Sequence, residues 1–307
     1  MITRRSAVSA LLATPFLAGR TLAQGAPLPV VATFSILADL VRQVGGDRVT
    51  VTSLVGPDGD AHSYSPTPAD ARALAAARVV FANGLGFEGW MTRLVRSSGS
   101  RAPLVTASAG VTPLKAEGGH SHGHSHGHSH GANDPHAWQD VANAKLYVKA
   151  IADSLSAADA ANANAYAARA QAYTAELDVL DKEIRARIGA VPRDQRRILT
   201  THDAFAYFAR AYDLDFLALR GVSSEAEPSP REIGAVIRQI RDRKVRALFM
   251  ENISDPRAMQ RIAAETGARI GGKLYSDALS PADGPAATYA AMMRHNAGQI
   301  AGALVQG

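Results

Sequence analysis

Along this chain the spacing of apolar positions switches repeatedly between strand-like runs and helical periodicity. Pro29 to Thr33 reads as a short buried strand, and Ile36 to Val44 changes to helical spacing. Val49 to Leu54 reads as a second strand, closed by the turn signal Gly56-Pro57-Asp58-Gly59. Thr67 to Asp70 carries several helix-start cues at once: Thr67 as N-cap, Pro68 at the first helical position, and Asp70 completing a capping-box pair. That helix is predicted to run through Ala77. Arg78 to Ala82 follows as a strand, then the turn Asn83 to Gly86 and a helix through Arg96. Strands alternating with helices predict an α/β arrangement with a mostly parallel sheet.

From Val141 to Ile188 the pattern is Ala-rich and helical, with a second helix start expected at Ser156 to Asp159. From there to Ile188 is about 33 residues, roughly 50 Å at the helical rise. No α/β layer needs a helix that long, so it is expected to connect two halves. Alternation then resumes. Arg197 to Thr200, Phe216 to Leu219, Val245 to Met250 and Ala268 to Ile270 read as strands, and Ser229-Pro230-Arg231-Glu232 and Asp255-Pro256 read as helix starts. A final helix is expected over Pro285 to Leu304. The predicted fold is α/β: two similar lobes, each a mostly parallel sheet flanked by helices, joined by one long rigid helix. The expected divisions are a signal peptide at 1–23, an N-terminal lobe at 24–140, linking helices at 141–189 and a C-terminal lobe at 190–307.

The N-terminus alters how the charge is read. Arg4 and Arg5 precede an apolar stretch from Ala7 to Ala18, and Thr21 and Ala23 place small residues at the usual cleavage positions. Both an ordinary secretory signal and a twin-arginine signal fit, with Gln24 as the expected mature start. Cleavage removes three arginines and no acidic residue, taking the formal charge from +5 to +2. Nucleic-acid binding is therefore not indicated. Beyond the N-terminus no apolar run reaches the roughly 18 residues of a membrane span. The chain has no cysteine. That excludes disulfides, thiolate zinc sites and a cysteine-linked lipid anchor, and a soluble periplasmic monomer is expected.

Residues 116–133 break the pattern. His120, His122, His124, His126, His128 and His130 alternate with Gly and Ser, leaving nothing to bury, so a disordered metal-gathering loop is expected. Outside it, His62, His136, His202 and Asp277 each stand just after a strand-like run or between elements. Open α/β sheets place their sites there. Three imidazoles and one carboxylate form a donor set that zinc accepts. His202 is expected to open a helix whose dipole keeps the imidazole neutral. Asp60, Asp140 and Asp203 are candidates to orient the rings. Tyr64, Trp138, Phe205 and Tyr207 read as packing residues, and Glu225 and Glu227 as solvated loop carboxylates.

Six stretches carry a family resemblance, in order: residues 62–70, 83–90, 134–138, 201–208, 223–230 and 275–280. Across the mature chain they resemble the cluster A-I, zinc/manganese-type solute-binding proteins of ABC importers. The resemblance implies two α/β lobes, a rigid linking helix and one metal between the lobes. Matched motif to motif, its ligands fall on His62, His136, His202 and Asp277. Manganese members of the family tend to carry glutamate where His202 stands, and zinc members often carry a His-rich loop, so the resemblance points to the zinc branch, with Mn2+ the lesser candidate. The expected function is capture of Zn2+ in an interlobe cleft and delivery to a membrane permease, with a periplasmic metallochaperone as a second candidate partner. The alternatives are a manganese-specific member of the family and a free-standing periplasmic zinc buffer. A zinc hydrolase fits poorly, because Asp277 would close the coordination position that water needs and no His-Glu-x-x-His motif is present.

Overall fold

Two sheets of the same topology grow from the two alternating regions. The structure, a computed structural model, describes residues 26–116, 133–221 and 229–305. The first region contains β1 (Leu28–Phe34), α1 (Ser35–Gly45), β2 (Val49–Val55), α2 (Pro68–Ala76), β3 (Val79–Ala82), α3 (Met91–Ser98) and β4 (Leu104–Thr106). Two helices follow, α4 (Val141–Ala158) and α5 (Ala163–Gly189). The second region contains β5 (Arg197–Thr200), α6 (Ala206–Tyr212), β6 (Asp215–Ala218), α7 (Pro230–Arg243), β7 (Ala247–Glu251), α8 (Arg257–Thr266), β8 (Arg269–Leu274) and α9 (Tyr289–Val305).

The strand orders are β2-β1-β3-β4 and β6-β5-β7-β8, and every pairing is parallel. Each sheet therefore reverses its winding direction between its first and third strands, the position where open α/β sheets leave a crevice at their carboxyl ends. The predicted strands and helices are present, with ends shifted by a few residues. β4 was not foreseen, since three residues are too short to establish a period.

Both capping boxes form. Thr67 accepts from the Asp70 N–H while Asp70 accepts from the Thr67 N–H, and Ser229 and Glu232 repeat the exchange. The long connector differs from expectation. Ser156 lies inside α4, and the break falls at Asp159, whose carboxylate accepts from Asn162 Nδ2 at 2.7 Å and Tyr166 Oη at 2.8 Å. A short turn follows, and α5 starts at Ala163 with 27 residues, about 40 Å long. Its buried stripe is Tyr166, Ala170, Tyr173, Leu177, Leu180, Ile184 and Ile188, the three-and-four spacing of one helix face. That stripe packs on α1, α4 and α9. One apolar core runs through both halves, from Phe34 and Trp138 to Leu274 and Tyr289. A smaller cluster fills the space between the second sheet and helices α7 and α8.

β8 contains an irregularity that aims its end. Leu248 pairs with Ile270, but Met250 pairs with Lys273, so β8 carries one extra residue. Gly272 there has φ 120, open only to glycine without strain, and a Cβ on Gly271 would meet the Phe249 ring at 2.5 Å. Past this bulge the chain reaches Asp277. Among the described residues, no helix is long and apolar enough to cross a membrane.

Candidate metal centre

Each of the four candidate side chains is delivered from the carboxyl end of a sheet. His62 lies on the loop after β2, and Asp60 accepts from its backbone N–H at 2.9 Å and from Ser63 Oγ at 2.8 Å, which shapes the turn. His136 precedes α4. Its neighbour Pro135 is gripped by Asn83, at the end of β3, whose Nδ2 donates to the Pro135 carbonyl at 2.9 Å. Asn83 is fixed in turn by Tyr147 Oη, which donates to its Oδ1, and by Glu88, which accepts from its N–H. His202 follows β5, and Asp277 follows β8.

Their ligand atoms converge within 4.8 Å of one another. Nε2 of His62 stands 3.3 Å from Nε2 of His136 and 3.2 Å from Asp277 Oδ2. Nε2 of His202 stands 3.2 Å from the same oxygen, and Nε2 of His136 is 3.5 Å from Oδ1. The side chains of His136, His202 and Asp277 are fully buried, while that of His62 is 7% exposed. Asp277 Oδ1 is buried without a hydrogen-bond donor. A carboxylate oxygen in that position carries an unmet demand that a cation satisfies. Phe87 walls the site, edge-on to His62 at 4.7 Å and to Trp138 at 4.9 Å.

Two further carboxylates stand behind the rings. Asp134 Oδ1 accepts from the His136 backbone N–H at 2.9 Å and pairs with its Nδ1 at 2.8 Å. Glu251, the last residue of β7, accepts from the His202 backbone N–H through Oε1 at 2.9 Å and sets Oε2 2.5 Å from Nδ1. Each clamps both the backbone and the ring of one histidine, which leaves Nε2 as the outward donor. Asp134 and Glu251, which were not among the expected orienting residues, stand directly behind the rings of His136 and His202. Asp140 is the N-cap of α4, accepting from Ala142 N–H at 2.9 Å. His202 does not open a helix, because α6 starts at Ala206. Two carboxylates, Glu251 and Asp277, rather than a helix dipole, act on its charge. Asp134 was legible in the Asp134-Pro135-His136 spacing. Glu251 lies 49 residues from His202, and only a lone charge closing an apolar strand hinted at it. His120, His122, His124, His126, His128, His130, Glu225 and Glu227 lie outside the described residues, as does the segment 1–23.

The electrostatics follow from this packing. Burial opposes a charge on His136, yet Asp277 and then Asp134 outweigh it and push the ring up to about 9. Burial also opposes a charge on His202, and Glu251 and Asp277 overcome it, raising the ring well above its ordinary range. Burial alone would raise Asp277, but His136 and His202 hold it well below the usual carboxylate range. A divalent cation arriving here brings the positive charge that these imidazoles otherwise supply as protons, and binding it must displace those protons.

Known proteins share both fold and sequence with this chain. The model of the ZnuA family, described as the periplasmic component A of the zinc-uptake complex, matches residues 30–303. The chain is 33% identical over 282 residues to the manganese-binding lipoprotein MntA of Halalkalibacterium halodurans, covering 92% of this chain and 90% of that protein. It is 33% identical over 297 residues to the iron-binding protein YfeA of Yersinia pestis, covering 96% and 92%. The structure of the periplasmic zinc-binding protein TroA from Treponema pallidum matches with a TM-score of 0.82 at 31% identity, covering 91% of this chain and 99% of that one. These likenesses define a class, the substrate-binding components of metal ABC transporters, which are not enzymes. Within that class, the chain belongs to the ZnuA family.

Proposed function

We propose that this chain captures Zn2+ in the periplasm, holds it through His62, His136, His202 and Asp277 in a cleft between its two halves, and delivers it to the membrane permease of an ABC importer. The convergence of three imidazole nitrogens and one carboxylate oxygen within 4.8 Å carries this reading. Nitrogen donors in a four-ligand set suit zinc, whereas manganese favours oxygen donors and more of them. The His-rich run from His120 to His130 collects zinc and passes it to this site. Six imidazoles on a Gly/Ser chain bind zinc with moderate affinity and no fixed geometry. The names of MntA and YfeA favour a second reading, transport of manganese or iron by the same ligands.

Metal competition on protein starting at Gln24 tests the proposal. Wild type, a deletion of residues 118–131 and His202→Ala are titrated with zinc against a calibrated chelator, with manganese and ferrous iron as competitors. One tight zinc per chain is expected, surviving the deletion, resisting both competitors and weakened by His202→Ala. Tight zinc that vanished with the loop and persisted without His202 would replace the reading with a loop-based zinc buffer. Displacement of zinc by equimolar manganese or iron would select the second reading.

A further inference from the structure

Tyr207 lies in the stretch that carries His202, and its ring packs in the core. Its hydroxyl does something that packing does not require. Oη accepts from the Leu114 N–H at 2.9 Å and donates to the Asp134 carbonyl at 3.0 Å. Leu114 and Asp134 face each other across a narrow stem, where the Asp134 N–H donates to the Leu114 carbonyl at 2.9 Å and Lys115 bridges Asn133. One phenol thus ties both sides of the stem to α6, in the opposite half of the molecule. The Asp134 carboxylate in turn clamps His136 by backbone and ring. At its other end Tyr207 stands five residues after His202, on a helix whose entry is fixed by the Ala204 N–H donating to the His202 carbonyl at 3.0 Å.

We infer that Tyr207 is a positioning residue for metal binding. Its hydroxyl sets the placement of His136 relative to His202 by holding the Asp134 backbone, so that two ligands from different sheets arrive at one point already spaced for a metal. This rests on the proposed metal site. A ligand segment held by such outer contacts stays in place when the metal departs and costs less to order when it returns. Losing the hydroxyl releases the stem from α6, and His136 then binds from a wider range of positions.

The test compares Tyr207→Phe, Tyr212→Phe, Asp134→Asn and the Tyr207→Phe/Asp134→Asn double variant, with His136→Ala as the check on the site itself. Tyr212 lies on the same helix and donates to Asp181 Oδ1 at 3.0 Å, away from the ligands, so its variant reports simple loss of a phenol hydrogen bond. Zinc dissociation rates are measured by chelator capture, and the visible absorption of Co2+-loaded protein reports ligand geometry. Tyr207→Phe is expected to speed zinc release roughly 10-fold and to change the cobalt spectrum, with Tyr212→Phe matching wild type. Adding Tyr207→Phe to Asp134→Asn is expected to have little further effect, because the placement that Tyr207 gives the Asp134 backbone reaches the His136 ring through the carboxylate that Asp134→Asn alters. Equal rates and spectra for Tyr207→Phe and wild type overturn the inference, as do fully additive effects in the double variant. If His136→Ala keeps tight zinc, the site reading itself has failed. If His136→Ala loses it while Tyr207→Phe does not, only the role of Tyr207 has failed.

Discussion

Glu251 shows how much of this site rests on residues that would not touch the metal. It is 2% exposed, with Oε1 accepting from the His202 backbone N–H and Oε2 set 2.5 Å from Nδ1 of the same histidine. Only a carboxylate offers two acceptors in that geometry. In Glu251→Gln one oxygen becomes an NH2 group, which must face an N–H donor, and the charge behind His202 is lost. Zinc affinity is expected to fall roughly 10- to 100-fold, read by chelator competition, while the metal-free protein keeps its thermal midpoint to within a few degrees. Unchanged affinity would mean that Glu251 merely fills space. The four side chains that converge here were readable from the chain because each sits in a short, unusual local pattern. Their supports were less readable. Asp134 is two residues from its histidine and was within reach. Glu251 is brought in by strand pairing of β5 with β7, a contact that local spacing does not encode.

At the scale of elements, local rules served well where the determinants are local. The capping boxes at Thr67 and Ser229 were visible because N-cap and partner are three residues apart. The start of α9 was less visible because one of its supports is distant. Tyr289, its first residue, donates its N–H to Asp39 Oδ2 of α1 at 2.8 Å, while Thr288 accepts from Ala291 N–H at 3.2 Å. Asp39 is buried, and that burial raises its carboxyl above the usual range, against the lowering effect of the Tyr289 N–H, Gln43 and Arg42. The folded protein holds this proton more tightly than the unfolded chain, so the contribution is fully present below the ordinary carboxylate value of about 3.8. It is lost as pH rises through the raised value. Asp39→Asn keeps an acceptor for Tyr289 and cannot ionise. It should match or exceed wild-type stability at neutral pH, and its advantage should disappear under acidic conditions. Asp39→Ala removes the acceptor and also cannot ionise, so it should cost about 0.5–2 kcal/mol under acidic conditions, as lost helix caps do, and less at neutral pH. Denaturant unfolding at several pH values checks both, and an Asn variant less stable than wild type at neutral pH would show that the ionised form is the favoured one.

For the whole molecule the question is whether metal binding closes the two halves or finds them already closed. The contacts between them are numerous and mostly independent of the metal. Trp138 Nε1 and Gln139 Nε2 both donate to the Ser276 carbonyl, at 3.0 and 2.8 Å. Tyr289 Oη donates to the Trp138 carbonyl at 2.8 Å. Leu279 N–H donates to Ser35 Oγ at 2.9 Å, Asp58 N–H to the Leu279 carbonyl at 2.9 Å, and Asn252 Nδ2 to Asp58 Oδ1 at 2.9 Å. Each such bond contributes about 0.5–1.5 kcal/mol net, and breaking one inside the core leaves buried groups unpaired at a higher cost. A wide hinge would have to break this set together and part a core that runs continuously from Phe34 to Tyr289. It would also have to bend α5, whose buried stripe packs on helices of both halves. Moving a loop around one ligand breaks far less. Metal-stripped and zinc-loaded protein should therefore give superimposable small-angle scattering profiles, while hydrogen exchange slows on zinc binding mainly in the segments carrying His62, His136, His202 and Asp277. A clear compaction on loading would contradict this, and it would mean that the interlobe bonds form only once the metal is in place.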